Sequence, residues 1–244
     1  MISLEGMLAM SRSLSDFKES MQLAEALKKI ERTYPQNPNL TQQPDVKGLR
    51  GGAAVLMVAA FEFFLKNLFI EYIGKLNTIP KTIDFEKLPK NLKVTSVYGG
   101  LNEAMSGPRF RTKPPKVDRI KTIVEACKQI IIEQIDPNTF SNTSSNPSGE
   151  TVKGMFKNVG IDNIFGKIKT DFEAMWHSPV PNDFINSKLD EIVRTRHIVA
   201  HTSDTLNISR ASQNEAIKFL GVLSELLANK LDEHVQSLQL TAAI

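Results

Sequence analysis

Apolar residues recur at intervals of three and four along most of the chain, which is the periodicity of amphipathic helices. The pattern predicts helices over residues 14–33, 50–76, 94–105, 116–135, 151–159 and 163–176, one from Asn186 or Ser187 to about His201, and a last one opening at Ser212. No useful length of apolar–polar alternation predicts a strand. We therefore expect an all-α bundle in which residues 1–244 form one domain, with about 77–150 inserted between its core helices.

Two local features refine this picture. Residues 138–149 are rich in Ser, Asn, Thr and Pro, which predicts a mobile surface loop. Ser212 and Glu215 have the spacing of a capping box for the last helix. Both features indicate where helices begin or end, and neither indicates a functional site.

Composition is that of an ordinary globular protein, with 41% hydrophobic residues, 23% charged residues and a net charge of +3. The most apolar run, residues 53–73, is interrupted by Glu62, Lys66 and Glu71, which favours a buried core helix over a membrane span. The N-terminal residues lack the pattern of a secretory signal. The single cysteine, Cys127, lies in an apolar helical pattern that predicts a buried thiol and suits a reducing compartment. We expect a cytoplasmic protein without membrane contact.

The most informative segment is residues 194–201, where an arginine occupies a position of the apolar stripe. Arg196 falls in the slot left open by a stripe of six residues, Ile185, Leu189, Ile192, Val193, Val199 and Ala200. A guanidinium is rarely buried without a partner because it stays charged at every accessible pH. Either the helix faces water at Arg196, or a polar site is built into the bundle there.

Glu62 is a second charge placed in an apolar stripe, on the predicted helix 50–76. One interpretation is a buried pair in which the Glu62 carboxylate orients Arg196. A buried ion pair adds little net stability, so such a pair would need a functional reason. The other interpretation is an ordinary surface pair between Glu62 and Lys66, four residues apart.

His197 and His201 follow Arg194 by three and seven residues, so the three side chains project from nearly the same side of a helix. Arg196 lies about 100° from His197, at the edge of that polar face. The spacing of the two histidines is also that of a metal-binding pair, but no third ligand is evident in the sequence. Two ordinary surface histidines are a further alternative.

The run from Arg196 to His201 resembles the R-x4–6-H motif of the HEPN superfamily, with a polar residue after the arginine. Residues 50–56 and 61–66 resemble the first core helix of stand-alone prokaryotic HEPN proteins near the RiboL-PSP group. The helix from Ser212 is similar to the one that follows their motif. The resemblance implies an antiparallel helical bundle that dimerises with the two motif helices at the interface.

Many HEPN proteins are metal-independent endoribonucleases of toxin–antitoxin and phage-defence systems, whereas others have lost activity. The resemblance therefore implies RNA as the substrate, no cofactor, and an antitoxin or defence-system protein as a further partner. It identifies Arg196 and His201 as the defining pair and His197 as the polar position. Arg194 lies outside the motif, and its supporting role is inferred from its place on the helix.

The residue types suit cleavage of RNA without a metal. A histidine titrates near neutral pH and can take the proton of the 2′-hydroxyl or give one to the departing 5′-oxygen. An arginine can donate two hydrogen bonds to the phosphate as charge accumulates. We therefore expect Arg196, His201 and His197 to act in catalysis, with Glu62 and Arg194 supporting them.

A basic cluster precedes the predicted helix 116–135. Arg109, Phe110, Arg111 and Lys113 combine positive charge with an aromatic ring, as in surfaces that hold an RNA strand. A solvated charged loop is the alternative. For the whole chain, the alternatives to a ribonuclease are a non-catalytic HEPN-like module that binds RNA or a nucleotide, and a helical interaction protein with a polar dimer face.

Overall fold

The structure is a computed structural model that describes residues 11–78, 88–106, 115–131, 134–141, 143, 146–202 and 208–242. These residues form α-helices and one 3₁₀ turn, and none of them lies in a strand. The helices are α1 (Arg12–Glu31), α2 (Gln43–Thr78), α3 (Lys90–Ser106), α4 (Lys116–Ile131), α5 (Gly149–Asn158), α6 (Ile164–Trp176), α7 (Phe184–Thr202) and α8 (Arg210–Ala242), with the 3₁₀ turn at Pro137–Phe140. The prediction of an all-α fold is confirmed.

The core is built around α2, which packs against α1, α7 and α8. Aromatic rings fill the spaces between these helices. The ring centroids of Phe17 in α1 and Phe64 in α2 are 5.3 Å apart, and those of Phe69 in α2 and Phe156 in α5 are 5.2 Å apart. Each such ring removes a large apolar surface from water and adds favourable ring–ring geometry. Burial on several sides explains why α2 has no single polar face and reads as a continuous apolar run.

Helix α2 is also long and apolar enough to span a membrane, with a mean hydropathy of 1.9 in its most apolar window. Within the protein, however, 61% of that window is buried. Neighbouring helices therefore cover most of this apolar surface, as in the core helix of a helical bundle. This agrees with the sequence prediction for residues 53–73.

Helices α3 and α4 form a pair that contacts the rest of the protein mainly through α3 and the 3₁₀ turn.

The prediction of a mobile surface loop over residues 138–149 is wrong for several of its described residues. Phe140 is 5% exposed and the side chain of Thr143 is fully buried. Phe140 belongs to the hydrophobic core and Thr143 bonds to α2, so tertiary contacts overrule a composition typical of loops.

Two boundaries and one burial prediction also differ from the sequence analysis. Helix α7 begins at Phe184, upstream of the caps predicted at Asn186 or Ser187. Helix α8 begins at Arg210, because Ser209 and Ser212 exchange side-chain-to-backbone hydrogen bonds of 2.9 and 3.0 Å. Cys127, on α4, is exposed rather than buried. The single-domain division with an insertion at about 77–150 remains a prediction.

Candidate functional site on helix α7

Helix α7 is anchored by its first half and exposed at its end. Its buried residues, Ile185, Lys188, Leu189, Ile192 and Val193, all lie within the first ten positions, where α7 packs on α2, α5 and α6. Beyond Val193 no residue of α7 is buried. The last two turns therefore lie at the edge of the core, against which Val199 still packs, and present most of the candidate residues to solvent.

The two histidines lie in contact on this exposed end. The ring centroids of His197 and His201 are 4.3 Å apart, with the ring planes tilted by 51°. Both side chains are exposed, and so is Arg194, one turn earlier. Helical spacing places all three on one side of α7. This face therefore combines two imidazoles with a guanidinium, all of them accessible to a ligand.

Arg196 occupies a different position. It lies half-buried at the edge of the packed face, and its guanidinium makes no hydrogen bond or ion pair among the residues the structure describes. On the helix it is about 100° from His197 and about 140° from His201. The exposed Ala200 lies between the two faces. The helix thus offers the two motif residues on adjoining faces.

Glu62 is not the partner of Arg196. Its carboxylate is 13% exposed, lies 3.2 Å from Lys66 Nζ and accepts a 2.8 Å hydrogen bond from Thr143 Oγ1. The ion pair with Lys66, four residues on, is the one expected from the alternative interpretation. The interpretation in which Glu62 orients Arg196 is wrong. A hydrogen bond from Thr143 therefore accommodates Glu62 in the apolar stripe, and a partner so distant in sequence is not revealed by local sequence.

The basic cluster that begins with Arg109, Phe110, Arg111 and Lys113 lies outside the described residues, and its role in RNA binding stays a prediction. Downstream of it, Arg119 donates to the backbone oxygen of Met105, tying the start of α4 to the end of α3.

A buried ion triad that the sequence analysis missed stabilises the chain just after the candidate residues. The fully buried carboxylate of Glu31 accepts hydrogen bonds of 2.9 and 2.6 Å from Arg50 and one of 2.7 Å from Arg210. Arg50 also donates to Ile208 O, and Arg210 donates to Tyr34 O. The triad therefore fixes the first residues of α8 against α1 and α2.

Burial raises the pKa of Glu31, but the hydrogen bonds and charges of Arg210 and Arg50 outweigh it, so the pKa lies below the ordinary 4.5. The carboxylate therefore stays ionised in the fold. A signal was present in the sequence: Arg50 directly precedes the most apolar run, residues 53–73, as Arg196 interrupts another stripe.

The described residues contain no group of three or more His, Cys, Asp or Glu side chains placed to hold a metal ion. The side chains at the described end of α7 supply imidazole and guanidinium groups. These groups transfer protons and bind anions, respectively.

The structure is an all-α bundle in which Arg196 and His201 lie on α7, ahead of the long closing helix α8. The family model for RiboL-PSP-HEPN matches residues 15–235, and the chain belongs to this family. No curated protein and no solved structure matches the chain significantly. Family membership indicates a ribonuclease or RNA-binding module of a kind that is typically soluble and often dimerises.

Proposed function

We propose that this protein is a metal-independent endoribonuclease that cleaves RNA by attack of the 2′-hydroxyl on the adjacent phosphate. The observation that supports this proposal most is the contact between the exposed rings of His197 and His201. Arg194 lies on the same face of α7, and Arg196 lies on the adjoining face. Two proton-transferring groups beside two guanidinium groups are what this reaction needs, because RNA supplies its own nucleophile.

One histidine takes the proton from the 2′-hydroxyl while the 2′-oxygen forms a bond to phosphorus. The bond from phosphorus to the 5′-oxygen breaks, and the second histidine gives that oxygen a proton. The products are a 2′,3′-cyclic phosphate and a 5′-hydroxyl. We assign His201 and His197 to these two roles, and either histidine can fill either role.

Arg196 stabilises the phosphate. Its guanidinium has no partner among the described residues, so its donors are available to the non-bridging oxygens as they gain charge. Arg194, on the histidine face, holds a neighbouring phosphate of the same strand. A charge-assisted contact of this kind positions the strand and makes binding dependent on salt.

We further propose that the active form is a homodimer in which the last turns of two α7 helices meet. Ile198 is 40% exposed on this end of the helix, next to the histidines, and its contact with a second copy would cover it. Because Arg196 and His201 lie on adjoining faces of one helix, a second copy brings additional groups to a phosphate lying between the helices. We place the protein in the cytoplasm of a prokaryote, in a toxin or phage-defence system with an antitoxin or other defence protein as partner.

The test is cleavage of end-labelled single-stranded RNA by the purified protein in excess chelator. We expect cleavage with 2′,3′-cyclic phosphate ends. His201→Ala and His197→Ala should each lower the rate by roughly 100-fold or more, since general acid–base catalysis contributes about 10²–10⁴-fold. Arg196→Ala should lower it by a similar factor.

The matched control is His177→Asn, which changes an exposed histidine at the end of α6, away from this face. It should retain the full rate. Loss of cleavage on adding chelator, or full activity of His201→Ala, would refute the metal-independent mechanism. Light scattering after size exclusion measures the dimer, and growth arrest by the wild type but not by His201→Ala tests the toxin role.

A second candidate function is RNA binding without cleavage. The separation of about 140° between Arg196 and His201 on one helix favours it, because the two groups need not act on the same phosphate. In that case RNA binds with a salt dependence that Arg194→Ala and Arg196→Ala reduce, and no variant changes the length of the RNA.

A further inference from the structure

Most of the large apolar side chains that are exposed among the described residues lie on the hairpin of α3 and α4. Seven of these twelve side chains belong to it: Val94, Tyr98 and Met105 on α3, and Val117, Ile120, Val124 and Ile131 on α4. Single exposed apolar residues are ordinary on a protein surface, but a concentration of them marks an interaction site. The hairpin is therefore the part of the described chain that most needs a partner.

The exposed apolar residues of α4 follow a heptad spacing, with alternating steps of three and four residues. The members of this stripe, here called the α4 seam, are Val117, Ile120, Val124, Cys127 and Ile131. Its four aliphatic side chains are 44–79% exposed. A different side of α4 is packed: Arg119 and Ile123 are half-buried, and Arg119 donates a hydrogen bond to Met105 O of α3. The seam thus has the pattern by which one α-helix packs along another, and nothing among the described residues covers it.

The side chains of the seam favour a helical partner over a lipid or a nucleic acid. Val and Ile at alternate heptad positions pack into the spaces between the side chains of a facing helix. Helices that lie on a membrane surface carry Trp, Phe or Leu on their apolar side, and single-stranded RNA is held by aromatic rings. The seam contains none of these residue types. It has the composition of one half of a coiled coil.

Lysines flank the seam on both sides. Lys121 and Lys128 lie along one side and Lys116 begins the other, and all three are exposed. Lys121 lies 2.8 Å from Asp118 and Lys128 lies 4.0 Å from Glu125. Both are exposed pairs between residues three apart, which contribute little, and their carboxylates lie farther from the seam than the lysines. The ammonium groups therefore remain able to bind the carboxylates of a partner.

These charges decide between a second copy of the chain and a different protein. With two seams face to face in parallel, Lys116 of one copy lies beside Lys121 of the other, and in the antiparallel arrangement the two copies of Lys121 lie close together. Like charges at these positions repel, whereas carboxylates would be complementary. The sequence around the seam strengthens this effect. Residues 107–131 contain seven Lys and Arg residues against two Asp and Glu residues, although the surplus of the whole chain is only three.

We propose that the α4 seam binds an amphipathic helix of another protein, one whose apolar heptad stripe is flanked by Asp and Glu residues. The 16 residues of α4 give a surface about 24 Å long, which suits four turns of a facing helix. Because α4 is already folded against α3, the main cost of ordering falls on the partner. The inference is independent of RNA cleavage, since no residue of the seam belongs to α7.

The experiment measures binding of two synthetic peptides to the full chain by fluorescence anisotropy. Both contain three heptads with Ile and Leu at the apolar positions, and one carries Glu at the flanking positions where the other carries Lys. We expect the Glu peptide to bind at least tenfold more tightly. The double change Lys121→Glu with Lys128→Glu should reverse this preference. Ile120→Asp should weaken binding of the Glu peptide by roughly tenfold or more, because it removes one apolar side chain from the contact.

The matched control is Leu23→Asp, which changes an equally exposed apolar residue of α1 and should leave peptide binding unaltered. All of these positions are exposed, so each variant should keep the circular dichroism spectrum of the wild type. Cys127 gives a second measurement, because it lies within the seam. A saturating concentration of the Glu peptide should slow its reaction with a thiol reagent at least tenfold.

Several results overturn the proposal. They are equal binding of the two peptides, and binding that Ile120→Asp leaves unchanged. Slow reaction of Cys127 in the free chain means that a second copy or another segment of the same chain already covers the seam. Protection of Cys127 by phosphatidylserine vesicles or by single-stranded RNA, without binding of the Glu peptide, identifies a membrane or a nucleic acid as the occupant instead. Cleavage of RNA by the wild type is measured separately, so failure of the ribonuclease proposal is distinguished from failure of this one.

Discussion

Replacing Glu31 with alanine should be among the most destabilising single changes in this protein. The substitution leaves the guanidinium groups of Arg50 and Arg210 without their shared carboxylate, in a site where Glu31 itself is fully buried. Breaking a buried ion pair by removing one partner costs about 3–5 kcal/mol. Because the two arginine side chains keep 18% and 27% exposure, water replaces part of the loss, and we expect a value near 3 kcal/mol.

The measurement is urea unfolding followed by far-UV circular dichroism. The midpoint should fall while the slope with denaturant stays unchanged, because the folded state keeps its buried surface. In thermal unfolding, about 3 kcal/mol corresponds to a lowering of Tm by roughly 6–12 °C for a chain of this size. The control is Glu25→Ala, which removes the half-exposed partner of Lys28 and should cost about 1 kcal/mol or less. A loss below about 1 kcal/mol for Glu31→Ala would refute the reasoning, since exposed pairs already cost that much.

The same carboxylate also gives a pH test. Its pKa in the fold lies below the ordinary 4.5, so its stabilising contribution is complete above that pH and is lost as the pH falls through the folded value. Glu31→Gln should therefore be less stable than the wild type at neutral pH, with a difference that shrinks in acid. A difference independent of pH between 7 and 3, as judged by urea midpoints, contradicts an ionised Glu31 as the source of stability.

Three further predictions concern separate parts of the fold. Burial lowers the pKa of His234 below the ordinary 6.5. The stability that its neutral form contributes is therefore lost as the pH falls through the pKa in the folded state. His234→Asn should lessen this loss of stability in acid, as measured by urea midpoints. Gly149→Ala places a methyl group against the side chain of Asn186 where α5 meets α7, and should cost about 1–3 kcal/mol in the same assay, whereas Gly154→Ala, which meets no neighbour, should cost nothing. Cys127 should react with a thiol reagent in the native protein as fast as in urea, because its side chain is exposed, and slow native labelling contradicts that placement.

The sequence by itself determined the class of the fold. The three- and four-residue spacing of apolar positions is a property of neighbouring residues, so it predicted most of the helices and the extent of α6 to within a residue. It also placed His197 and His201 on one side of a helix, since residues four apart are neighbours on any helix surface. The site residues on α7 were predicted, whereas their catalytic roles remain proposals.

Only the tertiary structure decided which charges are buried and what they contact. In α1, the apolar Ile30 is half-exposed, whereas the charged Glu31 is buried against Arg50 and Arg210, from distant parts of the chain. Glu62 likewise bonds to Thr143 and pairs with Lys66 instead of Arg196. Periodicity indicates which side of a helix is apolar, but burial and ion pairing depend on which other helix packs there. That choice is made by contacts between residues far apart in sequence, which local spacing does not encode.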